Sequence, residues 1–356
     1  MTTLEDTIAR IAKPDPDGVA RAAARARLDC LTKPLGSLGR LEDLAAELVA
    51  MSGGIDANRW TVPRGAIVTF AADHGVAREG VSAYPSEVTA QMVLNFLRGG
   101  AGVNVLARHT GVDVRVVDIG VAHDFGKIPA LLHRKVKSGS GNLRREPALP
   151  RAEAEQALTV GIDLAKAAVA DGIGLLGTGE MGIGNTTPSA AIAAVMTGRS
   201  VAAVTGLGTG IDDAARAHKV TVIEEALALH RPDPHDALGV LAAVGGLDIA
   251  GMAGLILGAA EAKVPVMLDG FISGAAALIA VGIQPRCRYY LLASHRSVEP
   301  GHRAILEHMG LRPLLELDLR LGEGTGACLG IGLAQAAMKI LLEMATFETA
   351  GVSTRA

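Results

Sequence analysis

The sequence predicts an α/β protein built on a parallel sheet with helices on both faces, and two observations carry that prediction. Short continuous apolar runs ending near Gly, Asp or Ser alternate with longer helical patterns. Strands that are apolar throughout and separated by helices belong to parallel sheets covered on both sides. Nearly every unusual residue also follows directly on one of these runs, and parallel sheets bind ligands beyond the carboxyl ends of their strands.

In chain order, residues 1–58 read as helix with no strand-like run. Strands are expected at 66–71 ahead of Asp73-His74-Gly75, at 112–119 ahead of Gly120, and at 173–176 ahead of Gly177. Three more are expected at 264–268 ahead of Asp269-Gly270, at 289–292 ahead of Ser294-His295, and at 314–319 ahead of Gly322. A helical pattern then runs from 328 to 344, so residues 332–356 are expected to join residues 1–58 in a small helical domain. Residues 59–331 are expected to form the large α/β domain that carries the site, with the link near Ser52-Gly53-Gly54. The most apolar stretch, 240–260, is broken by glycines and by Asp248, which reads as buried helix rather than a membrane span.

Composition narrows the function. The net charge of -3 comes with scattered basic residues, which argues against nucleic acid as a partner. Aromatics at 3% leave little for base stacking. Cys30, Cys287 and Cys328 form no CxxC pair, as expected of reduced thiols in the cytoplasm. The first ten residues carry Glu5 and Asp6 and no apolar centre, so no signal peptide is expected. The expectation is a soluble cytoplasmic protein that engages neither membrane nor nucleic acid.

Chemistry concentrates in two glycine-flanked glutamates. Glu323 stands between Gly322 and Gly324, ahead of a long helix, and Glu180 follows Gly179 in Gly179-Glu180-Met181-Gly182-Ile183-Gly184-Asn185-Thr186-Thr187-Pro188. Each is expected on a turn where a strand hands over to a helix, clear of neighbouring side chains. Two such turns suggest a site that uses two carboxylates. An ordinary helix cap is the plain alternative for each.

The spacing Gly177-Thr178-Gly179-Glu180-Met181-Gly182 also fits the GxGxxG dinucleotide fingerprint. The acidic residue expected about 20 positions on is missing, and Glu180 would place a negative charge in the pyrophosphate loop. A single phosphate on the free N–H groups of the helix near Thr186, Thr187 and Pro188 fits better. The turn Gly206-Leu207-Gly208-Thr209-Gly210 precedes a helix that puts Lys219 within reach of such an anion. Asp212-Asp213 reads as compensation of that helix's dipole. Asp73-His74-Gly75 is either catalytic or an Asp that orients a loop beside a satisfied His. In Ser294-His295-Arg296-Ser297-Val298-Glu299-Pro300-Gly301-His302 no zinc-ligand spacing occurs, so structural contacts or ligand hydrogen bonds are expected. Residues 81–85, Val-Ser-Ala-Tyr-Pro, are apolar enough to line a pocket for a flat ring.

With these motifs, Leu268-Asp269-Gly270-Phe271, Lys33-Pro34-Leu35-Gly36-Ser37-Leu38-Gly39-Arg40-Leu41-Glu42, Ala72-Asp73-His74-Gly75-Val76 and Val244-Gly245-Gly246-Leu247-Asp248, the chain resembles a known family over residues 33–340. It is the nicotinate-nucleotide–dimethylbenzimidazole phosphoribosyltransferases, which build the lower-ligand nucleotide of cobalamin. The resemblance implies a Rossmann-like large domain, a small domain from both termini, and a homodimer with its sites near the subunit contact. It implies transfer of ribose 5-phosphate from nicotinate mononucleotide to 5,6-dimethylbenzimidazole, giving α-ribazole 5'-phosphate and nicotinate.

Glu323 matches the family's catalytic base and Glu180 its second site carboxylate. Tyr84, Pro85 and Gln91 are expected around the base, and Gly182, Gly184, Asn185, Thr186 and Lys219 around the nucleotide. Gly270, Ser297, Leu321 and Gly322 are expected to complete the substrate contacts. Neither cofactor nor metal is expected, because nicotinate leaves as a neutral ring from a pyridinium and one carboxylate suffices to take the proton of the attacking ring. A non-catalytic nucleotide-binding module would use the same glycine turns without needing Glu323, and an NAD-dependent oxidoreductase would need the missing acid.

Overall fold

Six strands make one sheet in which every neighbouring pair runs parallel: β1 Gly65–Ala72, β2 Asp113–Gly120, β3 Leu131–His133, β4 Leu175–Met181, β5 Val266–Leu268 and β6 Leu291–Ala293. The computed structural model describes residues 3–208 and 210–353. The spatial order is β3-β2-β1-β4-β5-β6. This is the doubly wound order, and its direction reverses between β1 and β4, which opens a crevice at their carboxyl ends.

The two faces follow from the two-residue period of β1, all of whose residues are buried. Phe70 meets Gly251 of the helix Leu247–Glu261 on one face. Ile67 and Thr69 point the other way, towards the turn and helix at 322–343: a Cβ on Gly324 would approach Ile67, and Thr69 bonds the Glu323 carbonyl. The abundance of glycine and alanine has a packing cause. A Cβ on Gly161, in the helix Arg151–Ala170, would overlap the carbonyl of Gly251 and stand 2.6 Å from the nitrogen of Leu255, so the two helices pack backbone to backbone.

The helices Val19–Asp29 and Arg40–Ser52 pack on the helix Thr325–Glu343, and the chain's end returns to them. Thr32 N–H donates to the Ala345 carbonyl at 2.9 Å and Phe347 N–H to that of Cys30 at 3.1 Å. A buried ion pair, Lys33 to Glu42 at 2.9 Å, ties the intervening loop. The first helix, Leu4–Arg10, packs instead on the Leu247–Glu261 and Arg151–Ala170 helices of the large body. Thr325–Glu343 is long and apolar enough to span a membrane by length and composition, and about half of it is buried against other elements of the chain.

Three expectations change. Residues 314–319 are not a strand: Leu315 makes one bridge with His295, and Asp318 takes φ 53°, which breaks extended backbone. The edge strand β3 was not anticipated, since three residues are too few to show a period. β4 runs on through Gly177-Thr178-Gly179-Glu180, so those residues are strand and not a turn. Their glycines clear neighbouring packing: a Cβ on Gly177 would stand 3.2 Å from Ile331 and 3.3 Å from Ala327. The stretch 240–260 is buried helix, divided into Ala237–Val244 and Leu247–Glu261 at Gly245-Gly246.

Candidate active site

A cavity of about 400 Å³ opens over the carboxyl ends of the strands. Its walls come from residues just beyond β5 and β6, from the end of β4, from the helix Glu87–Leu97, and from the turn at 320–323. Glu323 and Glu180 both face it from adjacent segments: Gly179, beside Glu180, could not carry a Cβ without overlapping the Glu323 carbonyl.

The Glu323 turn has an unusual backbone. Gly322, Glu323 and Gly324 have φ of 83°, 65° and 101°, so a non-glycine residue sits in the left-handed region between two glycines. Holding Glu there costs about 1–2 kcal/mol, offset by bonds from below. Asp269 accepts the N–H groups of Gly324, Gly326 and Ala327 at 3.3, 2.7 and 3.0 Å. Thr69 Oγ1 donates to the Glu323 carbonyl at 3.1 Å. The carboxylate itself accepts from Val103 N–H at 3.2 Å, at the first turn of the helix Gly102–Thr110. Burial raises the Glu323 pKa above the ordinary value, and the Val103 and Gly102 N–H groups moderate the rise. The result is a fixed carboxylate with enhanced affinity for a proton.

Glu180 is more deeply buried. Burial first, then the nearby Asp248 carboxylate, push its pKa up to about 8, so at neutral pH it retains a proton. Asn185 opens the helix Thr186–Thr197 but does not cap it. Its amide instead bonds Glu180 and, at 3.1 Å, Asp248. Asp269 is raised to about 7, again by burial.

On the opposite wall, Lys219 Nζ donates to Thr186 Oγ1 at 2.6 Å from deep burial. Burial lowers the Lys219 pKa to about 8, against the pull of Glu299. Glu299 accepts from Gly208 N–H at 2.9 Å and holds that turn over the start of the Thr186–Thr197 helix. Thr209, in the same predicted turn, lies outside the described residues. Asp212 caps the following helix through Ala215 N–H at 2.8 Å, in keeping with its expected role.

Of the residues expected from sequence, Glu180, Glu323, Tyr84, Gly182, Asn185, Thr186, Gly270, Ser297, Leu321 and Gly322 all line the cavity. Lys219 stands behind Thr186 rather than in the wall. Gly184, at φ 91°, faces Ala77 and lies outside the lining. Pro85 and Gln91 are exposed and also lie outside it. The helix instead presents Val88 and Met92, four residues apart on one face, and Gln91 sits about 100° round from Met92. Val88, Met92, Asp269, Glu299 and Arg320 were not singled out as site residues, although an i, i+4 apolar pair after Pro85 was visible. His295 also lines the cavity, with Nδ1 3.0 Å from Ser294 Oγ, and burial lowers its pKa to about 4. His302 accepts Ser297 N–H at 3.0 Å, and burial lowers its pKa to about 3. These histidines are neutral contacts.

Known proteins resemble this arrangement throughout. The family described as "Phosphoribosyltransferase" matches residues 13–352. The nicotinate-nucleotide–dimethylbenzimidazole phosphoribosyltransferase of Geobacter sulfurreducens is 58% identical over 353 residues, 99% of each chain. That of Roseiflexus sp. is also 58% identical, again over 99% of each chain. The chain belongs to the nicotinate-nucleotide–dimethylbenzimidazole phosphoribosyltransferase family. A solved member from Thermus thermophilus is 48% identical, superposes with a TM-score of 0.88, and covers 96% of this chain and 100% of its own. The family resemblance and the doubly wound fold read from the sequence therefore hold. The oxidoreductase alternative loses its structural basis as well, since Gly177 and Gly179 lie inside a strand and form no pyrophosphate turn.

Proposed function

We infer that this chain transfers ribose 5-phosphate from nicotinate mononucleotide to 5,6-dimethylbenzimidazole, releasing nicotinate and α-ribazole 5'-phosphate for cobalamin synthesis. The supporting observation is that Glu323 shares one cavity with an apolar wall of Tyr84, Val88, Met92 and Leu321, which suits a flat methylated ring. A benzimidazole nitrogen attacks the anomeric carbon as the bond to the nicotinate nitrogen breaks. The pyridinium's electron pair returns to its ring, so the leaving group departs neutral. The attacking ring becomes cationic and gives its N–H proton to Glu323, whose raised pKa suits the task. Attack opposite the leaving group turns a β-linked nucleotide into an α-linked one.

The phosphate is assigned to the start of the Thr186–Thr197 helix, where the positive end of the helix dipole, with no side-chain cap, meets Gly208 and Lys219. Glu180, carrying its proton, is assigned to the ribose: a neutral acid can donate to a hydroxyl and does not repel the phosphate. Tyr84 at 55% exposure and Leu321 at 60% leave the mouth apolar and open, consistent with a homodimer that covers it. A cytoplasmic location belongs to the same reading, as does a small helical unit built from the two chain ends beside a large unit of 59–331, with the first helix, Leu4–Arg10, lying on the large unit.

The test is direct. Incubated with nicotinate mononucleotide and dimethylbenzimidazole, the protein should release nicotinate and form an α-linked product in equal amounts. Failure to release nicotinate, or a β-linked product, would reject the assignment.

A further inference from the structure

Three segments meet at one buried ring. His74 follows β1, Gly182 follows β4, and Gly246 precedes the helix carrying Asp248. A Cβ on Gly182 would stand 2.8 Å from His74 Nε2, and one on Gly246 would stand 2.9 Å from Nδ1. Both glycines are thus cleared for the imidazole, which is 4% exposed. Its Nε2 lies 3.2 Å from Asp248 Oδ1, and both side chains are buried.

Asp248 accepts from two neighbours. Oδ1 takes Ile249 N–H at 2.9 Å and Oδ2 takes the Asn185 amide at 3.1 Å. The same amide nitrogen donates its second hydrogen to Glu180 Oε2. An asparagine amide has two ends, and reversing it would aim its oxygen at two carboxyl groups. The His74–Asp248 pair removes that freedom, because a carboxylate beside an imidazole demands the donor end.

We propose that His74 and Asp248 are positioning residues for ribosyl transfer, acting through Asn185 to hold the Glu180 carboxyl in one orientation towards the ribose. The inference rests on the reading that places the ribose at Glu180. The groups facing Glu180 are Asp248 and Asp269, with Glu323 on the turn above; His74 faces Asp248 and Asp73. Burial works against a charge on His74, and Asp248 outweighs it and holds the imidazole pKa above its ordinary value. After burial, the Asp248 carboxylate itself is the largest influence that keeps the proton on Glu180.

Asp248→Asn, measured in the full-length enzyme, separates the possibilities. It is expected to lower kcat by about 10- to 100-fold, as loss of an outer partner of a reacting group does, and to leave KM for dimethylbenzimidazole within about twofold. The alkaline limb of the kcat profile should move to lower pH, because the charge that raises Glu180 is gone. Asn185→Ala removes the bridging amide, leaves the His74–Asp248 pair intact, and should give a similar fall in kcat. It serves if Asp248→Asn fails to fold by circular dichroism. Wild-type kcat and an unmoved pH profile in either folded variant would overturn the proposal. A parent enzyme that releases no nicotinate would instead reject the reading beneath it.

Discussion

Glu180 Oε1 occupies the space that a side chain on Gly322 would need. The end of β4 thus meets the turn that carries Glu323, although the two lie far apart along the chain. This contact explains why a bare backbone is required at 322. Both carboxyls can face one ligand only if their segments approach within side-chain distance.

Gly322→Ala tests that relationship. At φ 83° alanine is strained, and its Cβ would overlap Glu180. The variant should lose about 1–3 kcal/mol of stability and most of its activity, read as a lower Tm and a lower kcat. Full activity with an unchanged Tm would show that the two segments move apart freely.

Glu323→Gln keeps the turn's shape and removes the proton acceptor. Turnover is expected to fall about 10²–10⁴-fold, with far-UV circular dichroism unchanged. In the parent enzyme the carboxylate form is the active one and its pKa lies above the ordinary glutamate value. Activity should therefore decline on acidification at a higher pH than an ordinary glutamate would give, and that acid limb should vanish in the variant. More than about half of parental kcat in the Gln variant would remove Glu323 from the proton transfer.

Much of this site was legible in the sequence because its key groups sit in local patterns. Glycines on either side of Glu323 announce a left-handed turn, and Thr186-Thr187-Pro188 announces a helix start. Contacts that cross the chain were not legible. The grip of Asp269 on three N–H groups spans 55 to 58 positions, and nothing in Leu268-Asp269-Gly270 reveals it. The segment 314–319 misled because leucines recur there as in a strand, whereas its pairing beyond β6 is broken: Leu314 and Leu315 bond Ala293 and Ser294, and Asp318 then turns into the left-handed region before Leu319. Gln91 stands outside the cavity lining for a rotational reason, since the helix turns it away from the face that Val88 and Met92 share.

Activity should survive a strong chelator. Nicotinate leaves from a pyridinium as a neutral ring, so no Lewis acid has to neutralise charge on the leaving group. Initial rates with excess EDTA should match those without it. Loss of turnover that Mg²⁺ or Zn²⁺ restores would overturn the mechanism.

Lys219 supplies the sharpest distinction between the two substrates. Its ammonium is buried, bonded to Thr186 at the start of the Thr186–Thr197 helix, and faces the Gly208 turn. Lys219→Met keeps the buried stem and deletes the charge. A charge-assisted hydrogen bond contributes about 1.5–3 kcal/mol, so KM for nicotinate mononucleotide should rise about 10- to 100-fold. KM for dimethylbenzimidazole should change little, because that ring carries no phosphate. The pH dependence follows from burial, which lowers the lysine pKa to about 8. The charged form binds phosphate and is present below that value, so kcat/KM for the nucleotide should fall as pH rises through about 8. In Lys219→Met that alkaline fall should disappear. Equal changes in both KM values, or an unaltered alkaline limb, would move the phosphate away from this helix and reverse the orientation of the nucleotide in the cavity.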